Sequence, residues 1–186
     1  MEVVLTMVSL NSFVWSVLIY LGLVIIPIFL YLKLKNKINP LVYLKIIGNS
    51  KQGIIIAIIV SSIFIILLIT KNAINRFNSI HFNLGLLWIS GLLVGFFEEI
   101  PFRGFILQKL CNYMKFWKAN LLTTLIFVSF HIPTWINSNT HILSSAINIS
   151  MVSLVLGYLF KEYKSLWIPI ICHSVFNLSI WIGLST

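Results

Sequence analysis

The chain has 186 residues, 59% of them hydrophobic and only 9% charged, with a formal net charge of +9. A soluble domain carries roughly 25% charged residues, so the composition excludes a soluble enzyme and points to a polytopic membrane protein. The basic excess does not point to nucleic acid, because the lysines lie in short clusters between apolar runs and form no single patch.

Six runs are long enough to cross a bilayer, which takes about 20 mostly apolar residues. The expected fold class is therefore all-α, a polytopic membrane helical bundle of about six transmembrane helices. The first run covers 12–32 and contains Pro27. No Lys or Arg precedes Lys33, so a signal-peptide n-region is missing and this span is expected to be retained. Lys33, Lys35, Lys37, Lys45 and Lys51 follow, and among them 38–47 reads as a short amphipathic helix lying along the interface. The second span covers 53–70. The third, 82–110, is long enough to be tilted, to be kinked at Pro101 or to extend beyond the membrane. Its Gly91-x-x-x-Gly95 pattern reads as a notch for a neighbouring helix. The fourth covers 117–131 and continues weakly to 136, the fifth 141–160 and the sixth 166–184. Cys111 falls in a loop and Cys172 inside a span, so both read as unreactive thiols and not as a disulfide framework. No repeat or domain boundary interrupts 1–186, which reads as a single membrane domain.

The loops after spans 1, 3 and 5 hold ten lysines, and the opposite side holds only Lys71 and Arg76. The positive-inside rule places the ten in the cytoplasm and both termini outside. An accessibility tag in the 33–51 loop is expected to be reached only from the cytoplasmic side; labelling from outside intact cells would refute the orientation.

Glu98 and Glu99 are two of only four acidic residues, and they sit side by side in an apolar run. A carboxylate inside a bilayer costs about 2.5–3.5 kcal/mol even on lenient scales. Residues four apart share a helix face, so Glu99 faces Arg103, while Glu98 faces Phe102 and has no local cation. Pro101 removes a backbone donor and clashes with the carbonyl of Phe97, which should kink the helix near the pair.

Three further polar residues interrupt apolar spans. His131 lies four residues after Phe127, and Asn177 four after His173. At about 1.5 Å per residue, Glu98 lies roughly 16 Å, His131 roughly 20 Å and His173 roughly 14 Å from the nearest cytoplasmic lysine, near the middle of a core about 30 Å thick. Three helices can therefore present a carboxylate, an imidazole and an imidazole with an amide at one depth. His81 and His141 fall in external loops. A desolvated carboxylate without a cation suits general acid–base work, and Asn and His can donate to a developing oxyanion. These are parts for water attack on an amide. One carboxylate and two imidazoles could equally ligate a divalent metal such as zinc. Neither a His-Glu-x-x-His nor a Gly-x-Ser-x-Gly motif is present.

Glu98-Glu99-x-x-x-Arg103, Phe127-x-x-x-His131 and His173-x-x-x-Asn177, in that order, resemble the three motifs of the CAAX-protease and bacteriocin-processing (CPBP, or Abi) intramembrane proteases, which include the type II CAAX prenyl endopeptidases. The resemblance covers 84–184, leaving two motif-free spans in 1–80. It implies a helical bundle with a cavity open to the cytoplasm, an active site between spans 3, 4 and 6, and cleavage of a membrane-associated peptide or protein. It implies that Glu98 activates water with help from His131, that His173 and Asn177 hold the oxyanion, and that Glu99 and Arg103 support them. The family is described both as metal-dependent and as glutamate-dependent, so a divalent metal such as zinc and no cofactor at all both stay open. The implied partners are the bilayer and a peptide substrate, with no nucleic acid. The small, lysine-rich chain looks like the peptide-processing or bacteriocin-immunity branch, in a bacterial cell membrane. The alternative is a non-enzymatic immunity protein or a proton-coupled carrier, which would have no use for Asn177 one turn beyond His173.

Overall fold

A computed structural model describes residues 10–74, 80, 82 and 85–184; Arg76 and His81 lie outside the described residues. Among these residues the chain forms six long helices and one short turn of helix. Helix α1 covers 10–35 and contains two stretches of wider, π-type winding, Leu21–Ile25 and Tyr31–Lys35. The first ends just before Pro27, which cannot donate to the residue one turn back and crowds its carbonyl, so the winding loosens there. Helix α2 is the single turn Pro40–Tyr43. It is followed by α3 (Ser50–Ile74), α4 (87–111), α5 (Phe116–Asn137), α6 (Ile142–Tyr163) and α7 (Trp167–Trp181). Helix α5 runs through Pro133 to Asn137, so the weak end of the fourth span is helical too.

The stretch expected to lie along the interface holds a short helix with Leu41 and Val42 exposed, and it is also tied to the bundle. Asn39 caps α2 by accepting from the Leu41 N–H at 2.9 Å, with Pro40 in the first helical position. Lys45 then takes a φ of 59°, which ends the helix after one turn. The chain turns inward, Leu44 is fully buried, and the Lys45 carbonyl accepts from the Leu166 N–H at 3.0 Å. Trp167 Nε1 donates to the Ile46 carbonyl at 2.9 Å, and Gln108 Nε2 to the Tyr43 carbonyl at 2.8 Å.

Four stretches, Phe13–Lys35, Ser50–Ile74, Phe116–Asn137 and Ile142–Tyr163, are long and apolar enough to cross a membrane. The other two long helices are α4, which holds the Glu pair and Arg103, and α7, which has only 15 residues. Fifteen residues rise about 22 Å, short of the core, but α7 begins and ends on tryptophan, the residue suited to both interfaces. The distribution of polarity is that of a membrane bundle. Leu23, Ile66, Leu125 and Met151 point outward and are exposed, while Glu99, Arg103, Asn120, Thr124, Ser153 and Ser174 are buried. In lipid the outer surface is satisfied by hydrocarbon, and polar groups must find partners inside.

Helices α4 and α7 pack closely because Gly91 and Gly95 remove side chains from the contact. A Cβ at Gly95 would meet the Ser174 hydroxyl and stand 2.5 Å from the Ile170 carbonyl. One at Gly91 would strike the Leu178 side chain. Backbone cannot yield as a flexible side chain can, so Gly95→Ala is expected to destabilise the bundle by about 1–3 kcal/mol. A thermal shift of the purified protein in detergent would measure the loss, and an unchanged midpoint would show that the helices can separate freely.

Candidate active site

The site grows out of the winding of α4. Glu98 and Glu99 end its regular part, and Ile100–Leu107 continues as π-type winding. Pro101 supplies no N–H and crowds the Phe97 carbonyl, so the ladder is re-formed in the wider register. The proline thus shows itself as a change of winding over eight residues.

Glu99 is fully buried, and its Oε1 accepts from Arg103 Nη1 at 2.8 Å. The same oxygen lies 2.7 Å from Nδ1 of His173 on α7. Arg103, 1% exposed, reaches across to α6 with its other nitrogen, donating from Nη2 to Ser153 Oγ at 2.9 Å and to the Ser153 carbonyl at 3.2 Å. Ser153 Oγ in turn lies 2.7 Å from Thr124 Oγ1 on α5. The guanidinium stacks over the Phe127 ring at 4.9 Å, and that ring also flanks His131 and His173. Phe127 therefore walls the site as well as opening the motif.

Glu98 is held differently. Its Oε2 is buried yet takes part in no hydrogen bond among the described residues. His131 Nε2 stands 3.9 Å from it and His173 Nε2 3.8 Å from it. Both rings are fixed at the other nitrogen: Nδ1 of His131 donates to the Phe127 carbonyl at 2.9 Å, and Nδ1 of His173 faces Glu99. Two imidazole nitrogens and one carboxylate oxygen thus converge, each pair too far apart to bond directly. Separations of this size suit one small molecule between the groups. The two imidazoles also line a cavity of about 90 Å³, together with Arg103, Phe127, Ser153 and Asn177, large enough to hold water. The Asn177 amide has no partner among the described side chains and is free to donate into that space.

The donor set is one that zinc accepts, but the spacing is not. Tetrahedral zinc with bonds of about 2.0–2.1 Å sets neighbouring donor atoms about 3.4 Å apart. The separations of 3.8 and 3.9 Å are wider, and among the described residues no group of three His, Cys, Asp or Glu is arranged to hold a metal ion. No step below is routed through a metal.

All six residues singled out in the sequence border this one region: five are linked by the contacts above, and Asn177 lines the cavity. His141 is exposed at the start of α6, away from it. Sequence reasoning missed Ser153 and Thr124, which are small hydroxyl residues among several in their spans, and it missed the contact between Glu99 and His173. The four-residue rule finds only partners on the same helix.

No curated protein and no solved structure matches the chain. The profile of the family described as Type II CAAX prenyl endopeptidase Rce1-like matches residues 79–179, more than half of the 186. That stretch begins before the first span of the site and ends past Asn177, and the chain belongs to this family of CPBP intramembrane proteases.

Proposed function

We propose that the protein is an endopeptidase that hydrolyses a membrane-associated peptide with a water activated by Glu98. The observation that carries this reading is the buried, unbonded Oε2 of Glu98 between two imidazole nitrogens at 3.8 and 3.9 Å. A water between Glu98 Oε2 and His131 Nε2 gives its proton to Glu98 as its oxygen attacks the scissile carbonyl carbon. Asn177 and a proton on His173 Nε2 then hold the resulting oxyanion. The Glu99 carboxylate at Nδ1 orients the His173 ring and stabilises it while both nitrogens carry protons. Collapse breaks the C–N bond, and Glu98 returns its proton to the leaving amine. One water is consumed, and a carboxylate and an amine are released.

The cavity of about 90 Å³ cannot hold a peptide, but an apolar cavity of about 240 Å³ adjoins it and shares Val152, Leu156 and Phe176 as walls. It suits an apolar side chain or a hydrocarbon chain on the substrate. By resemblance the natural substrate is a bacterial membrane peptide, processed for maturation or for bacteriocin immunity.

The test is purified protein in proteoliposomes with a library of quenched apolar peptides, prenylated CAAX peptides included. The expected result is cleavage of at least one member by wild type and of none by Glu98→Ala. An intact library together with proton uptake under an imposed gradient would support a carrier instead.

A further inference from the structure

We infer that Ser153, on the one helix of the second half that carries no motif, is a positioning residue for the hydrolysis, acting with Thr124 through Arg103. The inference rests on the proposed function. Glu99 bonds through a single oxygen: Oε1 accepts from Arg103 at 2.8 Å and faces His173 Nδ1 at 2.7 Å, while Oε2 is buried without a partner. The carboxylate is therefore aimed by Arg103 and His173, and what fixes Arg103 carries through to it. A guanidinium is a flat fork, and two of its prongs must be held to stop it pivoting. One is held by Glu99 itself. The other is held by Ser153, through its hydroxyl at 2.9 Å and its carbonyl at 3.2 Å. Ser153 and Thr124 are each 1% exposed, so both contacts are buried.

Ser153 Oγ accepts from Arg103 and also shares a hydrogen bond with Thr124 Oγ1, 2.7 Å away, in which either hydroxyl can donate. The chain of bonds runs Thr124, Ser153, Arg103, Glu99, His173 and ends at the His173 Nε2 that faces Glu98 at 3.8 Å. It ties α5 and α6 to the reacting groups on α4 and α7. Ser153 lines the cavity beside His131 and His173, but its hydroxyl bonds Arg103 and Thr124, so it acts on Glu99 and His173 through Arg103. Groups that orient a catalytic residue from behind typically cost about 10–100-fold when removed.

The test uses the full chain in proteoliposomes and the peptide that wild type cleaves. Ser153→Ala is expected to lower kcat by about ten-fold or more with KM within about two-fold, since the lost contact aims the catalytic groups and binds no substrate. Ser153→Thr, which keeps the hydroxyl, is expected to recover most of that loss. Should Ser153→Ala fail to accumulate, Thr124→Val, which keeps shape and removes the hydroxyl, is expected to lower kcat in the same way. The double variant should be no worse than Ser153→Ala alone, because both act through one chain. A kcat within two-fold of wild type in the folded variants, or a rise in KM with kcat unchanged, overturns the inference. If Glu98→Ala is inactive beside a fully active Ser153→Ala, only this inference falls; if Glu98→Ala is fully active, the proposed function falls with it.

Discussion

Replacing Glu98 with alanine or glutamine is expected to reduce hydrolysis by about 10²–10⁴-fold, the range a positioned general base contributes, while the protein accumulates in the membrane at wild-type level. Both halves follow from one fact. Oε2 of Glu98 is buried and makes no hydrogen bond among the described residues, and the Nε2 atoms of His173 and His131 stand 3.8 and 3.9 Å away. A buried group held by no hydrogen bond gives the fold little when present, and its removal relieves a desolvation cost. The midpoint of thermal unfolding in detergent should therefore be unchanged or raised in Glu98→Gln. Immunoblots of membranes and a peptide assay on the same preparations check both halves. Degradation of Glu98→Ala, or activity near wild type, would show that the division of labour between the two adjacent carboxylates is wrong.

Arg103→Ala and Glu99→Ala are expected to behave in the opposite way, with the folded protein lost first. The pair is 2.8 Å apart, with 1% and 0% exposure. Deleting one partner leaves the other buried charge without its ion pair, with His173 left beside Glu99 and Ser153 beside Arg103, which costs up to about 3–5 kcal/mol, much of the margin of an ordinary domain. Loss of Arg103 also strands the Ser153 hydroxyl and carbonyl that accept from it. Replacing both members with apolar residues of similar size, Glu99→Leu with Arg103→Met, removes both charges at once and is expected to raise the protein level well above either single variant. Activity should stay absent, because His173 Nδ1 then has no carboxylate to fix it. Membrane levels and cleavage measured across the four proteins separate holding the bundle together from aiming the chemistry. Equal levels in single and double variants would show that the pair's charges do not set stability.

Much of this was legible in the sequence because membrane chemistry is severe. A chain with four acidic residues does not leave two in an apolar run by accident, and the four-residue spacing already joined Glu99 to Arg103. The spans were readable for the same reason, with 53–70 extending to Ser50–Ile74 and 141–160 close to Ile142–Tyr163. What could not be read was what one helix does to another. Nothing local joins Arg103 to Ser153, fifty residues away, or Glu99 to His173, seventy-four away. The same holds for 38–47: its composition suits an interface, and the bonds that also tie it to Gln108, Leu166 and Trp167 could not be read from it.

The wide winding of Ile100–Leu107 sets the angular phase between the two ends of α4. At one end Glu98 must look at α5 and α7; at the other Gln108 must look at the Tyr43 carbonyl. Each residue added to or removed from a helix turns everything beyond it by about 100°. Arg103 apart, the number of residues in this stretch is therefore a stricter constraint than their identity. An apolar exchange there leaves both ends aimed, whereas a single-codon deletion would swing one away from its target. The turn at 112–115, between α4 and α5, can absorb such a change in length, so tolerated insertions and deletions should cluster there and be absent from 100–107.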